Sequence, residues 1–178
     1  ISESDGQVEG DPENYFLKHR PAYQEGVLWL AKALLARDNY DQAMRFMSQL
    51  DRSPQTFNDI KSELAALQAH YYLVRKDYAQ AIPQLDAAIE EAPKRVLKAR
   101  YAFIKAQIHQ KLGQADEAYA AFQQSLKFRP AYEMEFSARL NMAQNSWLSG
   151  RGTAEEAKKN LNKMLKDPKN LAFKDQLY

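Results

Sequence analysis

Three histidines, His19, His70 and His109, are the side chains best suited to proton transfer or metal ligation near neutral pH. They stand far apart, and no His-x-x-x-His or Glu-x-x-His pairing joins them into a helical ligand set. The chain has no cysteine, which removes thiol nucleophiles, disulfides and thiolate ligands. Adjacent acids occur at Glu90-Glu91 and Glu155-Glu156, each close to lysines. Nothing apolar beside them would raise a carboxylate pKa into the range of acid–base work. Gly-x-x-x-x-Gly-Lys, Gly-x-Ser-x-Gly and Gly-x-Gly-x-x-Gly are all missing. The nearest approach, Gly150-Arg151-Gly152-Thr153, precedes a helical stretch without a strand before it. It reads as a turn with Thr153 as helix cap rather than as an anion cradle. These residues predict no catalytic, cofactor-binding or metal-ligating side chain, and no enzyme.

A repeated phrase sets the framework instead. Tyr40-Asp41-Gln42-Ala43, Tyr78-Ala79-Gln80-Ala81, Ala115-Asp116-Glu117-Ala118 and Ala154-Glu155-Glu156-Ala157 recur, their closing alanines 38, 37 and 39 residues apart. A period of this size marks stacked supersecondary units. Leu85 and Ala88 follow Ala81 at +4 and +7, and Phe122 and Ser125 follow Ala118, which puts them on one helical face. Met47 and Leu50 hold these slots after Ala43, and Leu161 and Met164 after Ala157. Pro54, Pro93, Pro130 and Pro168 then end the helices. Twelve residues before the first three closing alanines stand Ala31, Ala69 and Ala106, small enough to let a preceding helix lie close. The fourth repeat carries about two extra residues in its turn, Ser149-Gly150-Arg151-Gly152.

Composition agrees with a helical stack. Aromatic residues make up 11% of the 178, enough to fill seams between helices, and strand-type alternation is missing. A net charge of +2 with 27% charged residues describes a mixed, soluble surface and excludes nucleic-acid binding by bulk electrostatics. No apolar run of about 18 residues offers a membrane span. Residues 1–14 hold five acids and almost nothing apolar, which predicts a flexible acidic tail or linker. Tyr15-Phe16-Leu17 would dock the start of the fold, and Pro21 opens the first helix. One domain is expected over 15–178, with repeats at about 21–54, 56–93, 95–130 and 131–168. Inward residues include Val27, Leu28, Leu30, Leu34, Leu35, Leu64, Leu67, Tyr71, Tyr72, Ile82, Leu85 and Ile89. From Asn170 onward, Leu171, Phe173, Leu177 and Tyr178 read as the face of a further helix, so nine helices at most. The start at Ile1 and the end at Tyr178 lead to the expectation of a piece of a longer protein.

The phrases, their +4, +7 and proline slots and the small residues at −12 resemble the tetratricopeptide repeat, two helices per unit. The resemblance implies an all-α fold: an α-solenoid of about four helix-turn-helix repeats coiled as a right-handed superhelix. The slot before the small residue, apolar in that family, holds Leu30 in the first repeat but Gln68 and Lys105 in the next two. The family register places Glu25, Leu28, Lys32 and Leu35 on a concave groove, with Glu63, Ala66, His70 and Leu73 from the second repeat. Arg100, Phe103, Gln107 and Gln110 follow from the third. The groove so implied, a candidate protein-binding surface, has apolar patches flanked by both charges and suits a partner peptide or helix. Gripping a chaperone's C-terminal carboxylate needs lysine and asparagine where this chain has residues such as Leu28, Lys32 and Leu67, which disfavours that partner. Lys94, Arg95, Lys98, Arg100 and Lys105 form a run of five bases without an acid, read as a solvated helix start.

A narrower resemblance rests on Pro130-Ala131-Tyr132-Glu133-Met134-Glu135-Phe136-Ser137-Ala138-Arg139-Leu140-Asn141. It is similar to a signature of large tetratricopeptide lipoproteins of Bacteroidetes, the PorW/SprE type linked to type IX secretion and gliding motility. Lys163-Met164-Leu165-Lys166-Asp167, Asn170 to Tyr178, and Tyr71 to Leu85 resemble the same family. The resemblance implies a non-catalytic protein–protein interaction scaffold on the periplasmic face of the outer membrane. Its parent would be lipid-anchored, and its partners would be type IX secretion components. The runner-up reading is a general adaptor for another cell-envelope or peptidoglycan-associated assembly. No cofactor is implied by either.

Overall fold

A computed structural model of the protein describes residues 22–53 and 56–176. The expected acidic tail, the Tyr15-Phe16-Leu17 anchor, His19, Pro21, Pro54, Leu177 and Tyr178 lie outside the described residues. Eight α-helices follow in order: α1 Ala22–Ala36, α2 Tyr40–Asp51, α3 Asn58–Val74, α4 Tyr78–Glu91, α5 Arg95–Lys111, α6 Ala115–Lys127, α7 Tyr132–Leu148 and α8 Ala154–Lys166. A 3-10 helix, η1, spans Pro168–Gln176 where a further α-helix was expected. No strand occurs among the described residues. The fold is all-α, built from consecutive helix pairs of the solenoid type.

The chain divides into two compact units, Ile1–Pro93 and Lys94–Tyr178. In the first, α1 pairs with α2 and α3 with α4, while α1 also touches α3. In the second, α5 pairs with α6 and α7 with α8, while α6 and α5 touch α7. First helices thus lie beside first helices within each unit.

Alanine sets the spacing of each pair. Ala31 and Ala43 belong to one buried cluster with Val27, Leu28, Leu35, Met47 and Leu50; Ala106 and Ala118 belong to another with Phe122 and Ala138. Two serines add a tie between the helices of a pair. Ser62 Oγ donates to the Ala88 carbonyl at 3.2 Å, and Ser125 Oγ donates to the Ala99 carbonyl at 2.8 Å. These are the same two slots of the repeat, nineteen residues before and seven after the closing alanine, with the hydroxyl moved to the other helix. Leu30, expected inside, is exposed: it falls well outside the Val27-Leu28-Ala31-Leu35 stripe that faces α2 and α3.

The first three turns share one geometry. Asp38, Lys76 and Gly113 each adopt positive φ (58°, 61° and 72°) just past a first helix. The next residue's N–H reaches back five positions, from Asn39 to Leu34, Asp77 to Tyr72 and Gln114 to His109, which closes the helix with its orphan carbonyls satisfied. Asn39 and Asp77 then cap α2 and α4 through their side chains. In the fourth turn Gly150 takes the same position (φ 72°), but the long reach runs from Gly152 to Ser146, and Thr153 caps α8. The two extra residues are Arg151 and Gly152. A Cβ on Gly152 would stand 2.7 Å from Ser146 Oγ, so a larger residue here would make that serine side chain move.

Backbone conformation makes a direct prediction here. A Cβ at Gly113 would meet nothing within 4 Å, so Gly113→Ala carries only the left-handed penalty. It should lower the unfolding free energy by about 1 kcal/mol. Lys76→Gly should raise it by about 0.5–1 kcal/mol. Urea unfolding followed by circular dichroism measures both; a stabilising Gly113→Ala would contradict the turn geometry.

Candidate interaction surface

The surface is built from the first helix of each repeat. In the N-terminal unit, Lys32 Nζ on α1 reaches Glu63 on α3 at 2.6 Å and stands 4.7 Å from the centre of the Trp29 ring. The pair is half-exposed, so its Coulomb gain is small, and it bridges the two neighbouring first helices. Trp29 itself is 67% exposed. His70 is exposed and Leu73 half-buried on α3. Leu28 (2% exposed) and Leu35 (4%) do not reach this surface. Both belong to the core cluster, because α1 turns that stripe toward α2 and α3, and both leave the candidate groove.

In the C-terminal unit, Arg100 and Gln107 are exposed on α5. Phe103 is half-buried, its ring edge-on to that of Phe122 at 5.2 Å, so one face belongs to the core and the remainder to the surface. Gln110 Nε2 donates to Asn141 Oδ1 at 3.0 Å and joins α5 to α7. Beyond Asn141 on α7 stand Trp147, 56% exposed, and Leu148, 65% exposed. Leu148 lies seven residues after Asn141 and shares its helical face. The sequence reading missed Trp29, Trp147 and Leu148. Two of them are the chain's only tryptophans, and adding the two-residue turn insertion to the repeat register would have placed Trp147 on this face.

The chemistry-bearing residues take structural roles. His109 is buried in the slot that holds Tyr72 in the preceding repeat, and its Nδ1 meets Gln114 Oε1 at 2.7 Å. Gln114 flanks the start of α6, and its amide is spent on the imidazole instead of on a helix-capping bond. At the start of α8, Thr153 Oγ1 accepts from Glu156 N at 3.1 Å while Glu156 Oε2 accepts from Thr153 N at 2.9 Å. This reciprocal box, with Glu155 and Glu156 in the first turn, occupies the donors an anion would need. Among the described residues no group of three or more His, Cys, Asp or Glu could hold a metal ion. None of the described helices is long and apolar enough to cross a membrane. Of the basic run, Lys94, Arg95 and Arg100 are exposed, as a solvated helix start should be.

Comparison with known families bears on one repeat. The model for the tetratricopeptide repeat matches residues 99–132, which cover α5 from its second turn, all of α6 and Pro130. The other helix pairs repeat its alanine, turn and proline slots. No curated protein matches the chain.

The division between surface and core is open to measurement. Trp29→Ala and Trp147→Ala should each change the unfolding free energy by no more than about 0.5 kcal/mol, as exposed positions do. Phe122→Ala, at a fully buried ring, should cost about 3–5 kcal/mol. Thermal or urea unfolding of the three variants separates these classes. A large loss at Trp147 would place it in the core rather than on a surface.

Proposed function

We propose that this chain is a non-catalytic protein–protein interaction scaffold whose first-helix faces receive partner segments. The observation that carries the reading is the exposed Trp147–Leu148 pair on α7, beside the Gln110–Asn141 bridge. Tryptophan on a rigid helix supplies large apolar contact at little entropic cost, and interface hot spots are rich in it. Tetratricopeptide repeats serve as protein-interaction modules, and Trp29 offers a like contact on the N-terminal unit. The remaining groove residues, Lys32, Glu63, His70, Leu73, Arg100, Phe103 and Gln107, would flank these contacts with both charges.

The finer assignment is a periplasmic module of a lipoprotein serving type IX secretion and gliding. It rests on the signature from Pro130 to Asn141 and on the segment from Asn170. These two stretches meet: the Tyr132 hydroxyl donates to Asn170 Oδ1, and Phe136 and Phe173 stack with ring centres 5.0 Å apart. Residues that carry the resemblance in two separate stretches therefore pack as one element.

The test is a crosslinking pull-down of the tagged full-length parent from its native envelope. The expected outcome is recovery of type IX translocon or motor components. The double substitution Trp147→Asp and Leu148→Asp should cut that recovery at least about tenfold, the loss of a hot spot worth about 2 kcal/mol. Helicity should stay unchanged. Recovery of no such component, with cargo secretion intact after deletion, would sink the secretion assignment. Recovery unaffected by the double substitution would sink the surface.

A further inference from the structure

The first-helix faces leave unexplained a cleft of about 500 Å³ on another side of the C-terminal unit, between α6, α7, α8 and η1. Its floor is apolar: Leu126, Phe136, Met142 and Met164. Lys163 and Lys169 stand at its edge. Two acids, Glu135 and Asp167, also line it. Glu135 accepts two hydrogen bonds from Arg139, at 2.8 and 2.9 Å, and Asp167 Oδ1 accepts the Lys169 N–H at 3.0 Å. The ammonium groups of Lys163 and Lys169 meet no carboxylate among the described residues, and with Glu135 paired to Arg139 the lining keeps these two lysines against the one carboxylate of Asp167.

Repeat geometry explains why a groove exists here, but not its lining. The N-terminal unit has the corresponding groove between α2, α3 and α4, with a volume of about 230 Å³. Two equivalent slots become more apolar or more basic, while a third runs the other way, Lys61 in one and Glu135 in the other. The residue before the small alanine is Gln68 in one and Met142 in the other; the residue six after the closing alanine is Ala87 in one and Lys163 in the other. The C-terminal cleft is thus larger, with an apolar residue added at Met142 and a lysine added at Lys163. α8 packs on α7 and η1, and none of its residues is fully buried, although Ala157, Leu161, Met164 and Leu165 line one face. Ala157 is only half-buried, whereas Ala43, Ala81 and Ala118 are wholly enclosed. An apolar seam therefore runs along α8 with Lys159, Lys163 and Lys166 beside it.

We propose that this cleft is a second docking site, for an acidic peptide segment that inserts a leucine, methionine or phenylalanine. The linear seam fits a segment laid along α8 better than a compact small molecule. The lysine rim selects for acids and steers them inward. The site is independent of the first-helix faces, and its failure leaves that reading untouched.

Display of random 12-residue peptides on the purified chain tests it. Enriched peptides should carry Leu, Met or Phe flanked by Asp or Glu. Their affinity, read by fluorescence anisotropy, should fall at least tenfold in Met142→Gln and in Lys163→Ala, each of which installs the residue of the other unit's groove. It should also fall with added salt, and change less than twofold in Trp147→Ala. Circular dichroism checks that the variants stay folded; neither position is fully buried. Enrichment of peptides without acids, no enrichment at all, or affinity indifferent to both cleft substitutions would overturn the proposal. Loss confined to Trp147→Ala would overturn it too, by assigning capture to the first-helix face.

Discussion

Close approach of two helices at alanine is the constraint from which the rest of this structure follows. Ala31 against the second helix of its pair, and Ala69 and Ala106 in theirs, keep the axes near enough for Met47, Leu85 and Phe122 to be enclosed. A larger side chain at these slots would force the helices apart and open the core along its length. The Ser62 and Ser125 hydrogen bonds depend on the same closeness, since a hydroxyl on one helix must reach a carbonyl on its neighbour. That the hydroxyl sits on opposite helices in the two cases indicates that the tie is maintained by distance rather than by one favoured residue.

The turn is the second constraint, and it acts through the first. One left-handed residue followed directly by a cap sets where the second helix begins, and so which of its faces meets the alanine. Asp38 and Lys76 hold that conformation without glycine's freedom. At Asp38 the Tyr40 hydroxyl donates to the carboxylate, a bond that also raises the Tyr40 pKa. In the fourth repeat the two added residues keep the left-handed glycine and the cap but change the distance between them. α7 keeps its buried Ala138, Ala143 and Phe136, while α8, which packs on α7 and η1, has no fully buried residue.

Much of this was legible from residue spacing because a helical repeat reports its own geometry. The eight helices, the small-residue slots, the proline stops and the two-residue insertion all follow from period and register. What failed to read out was the partition of single residues between core and surface on the first helices. Leu28 and Leu35 look alike in a groove register and in a core stripe, which are adjacent on one helix; contact between α1 and α3 decides for the core. Trp29 and Trp147 look like seam fillers by composition, and only the packing shows that no described element covers them. The 3-10 form of η1 was also beyond reach. Asp167 and Pro168 are ordinary α-helix openers, and the tighter winding appears where Tyr132 and Phe136 hold Asn170 and Phe173 against α7.

Where the repeats agree, each shared residue has a packing role: alanine for approach, proline for stopping, a capping side chain for the turn. Agreement of that kind is explained by folding alone and carries no information about a partner. The signature on α7 behaves the same way, since Phe136 is core, Tyr132 clasps η1 and Asn141 bridges to α5. Information about partners must then lie where equivalent slots disagree and the disagreement is exposed to solvent. Two places meet both conditions in the C-terminal unit: the Trp147–Leu148 pair, in slots that hold Gln110 and Lys111 in the repeat before, and the cleft where Met142 and Lys163 replace Gln68 and Ala87. Met142 packs against the core cluster of this unit, whereas Trp147, Leu148 and Lys163 stand exposed. Exposed apolar side chains on a rigid helix gain contact area when another molecule covers them, and lysines beside them favour an acidic one.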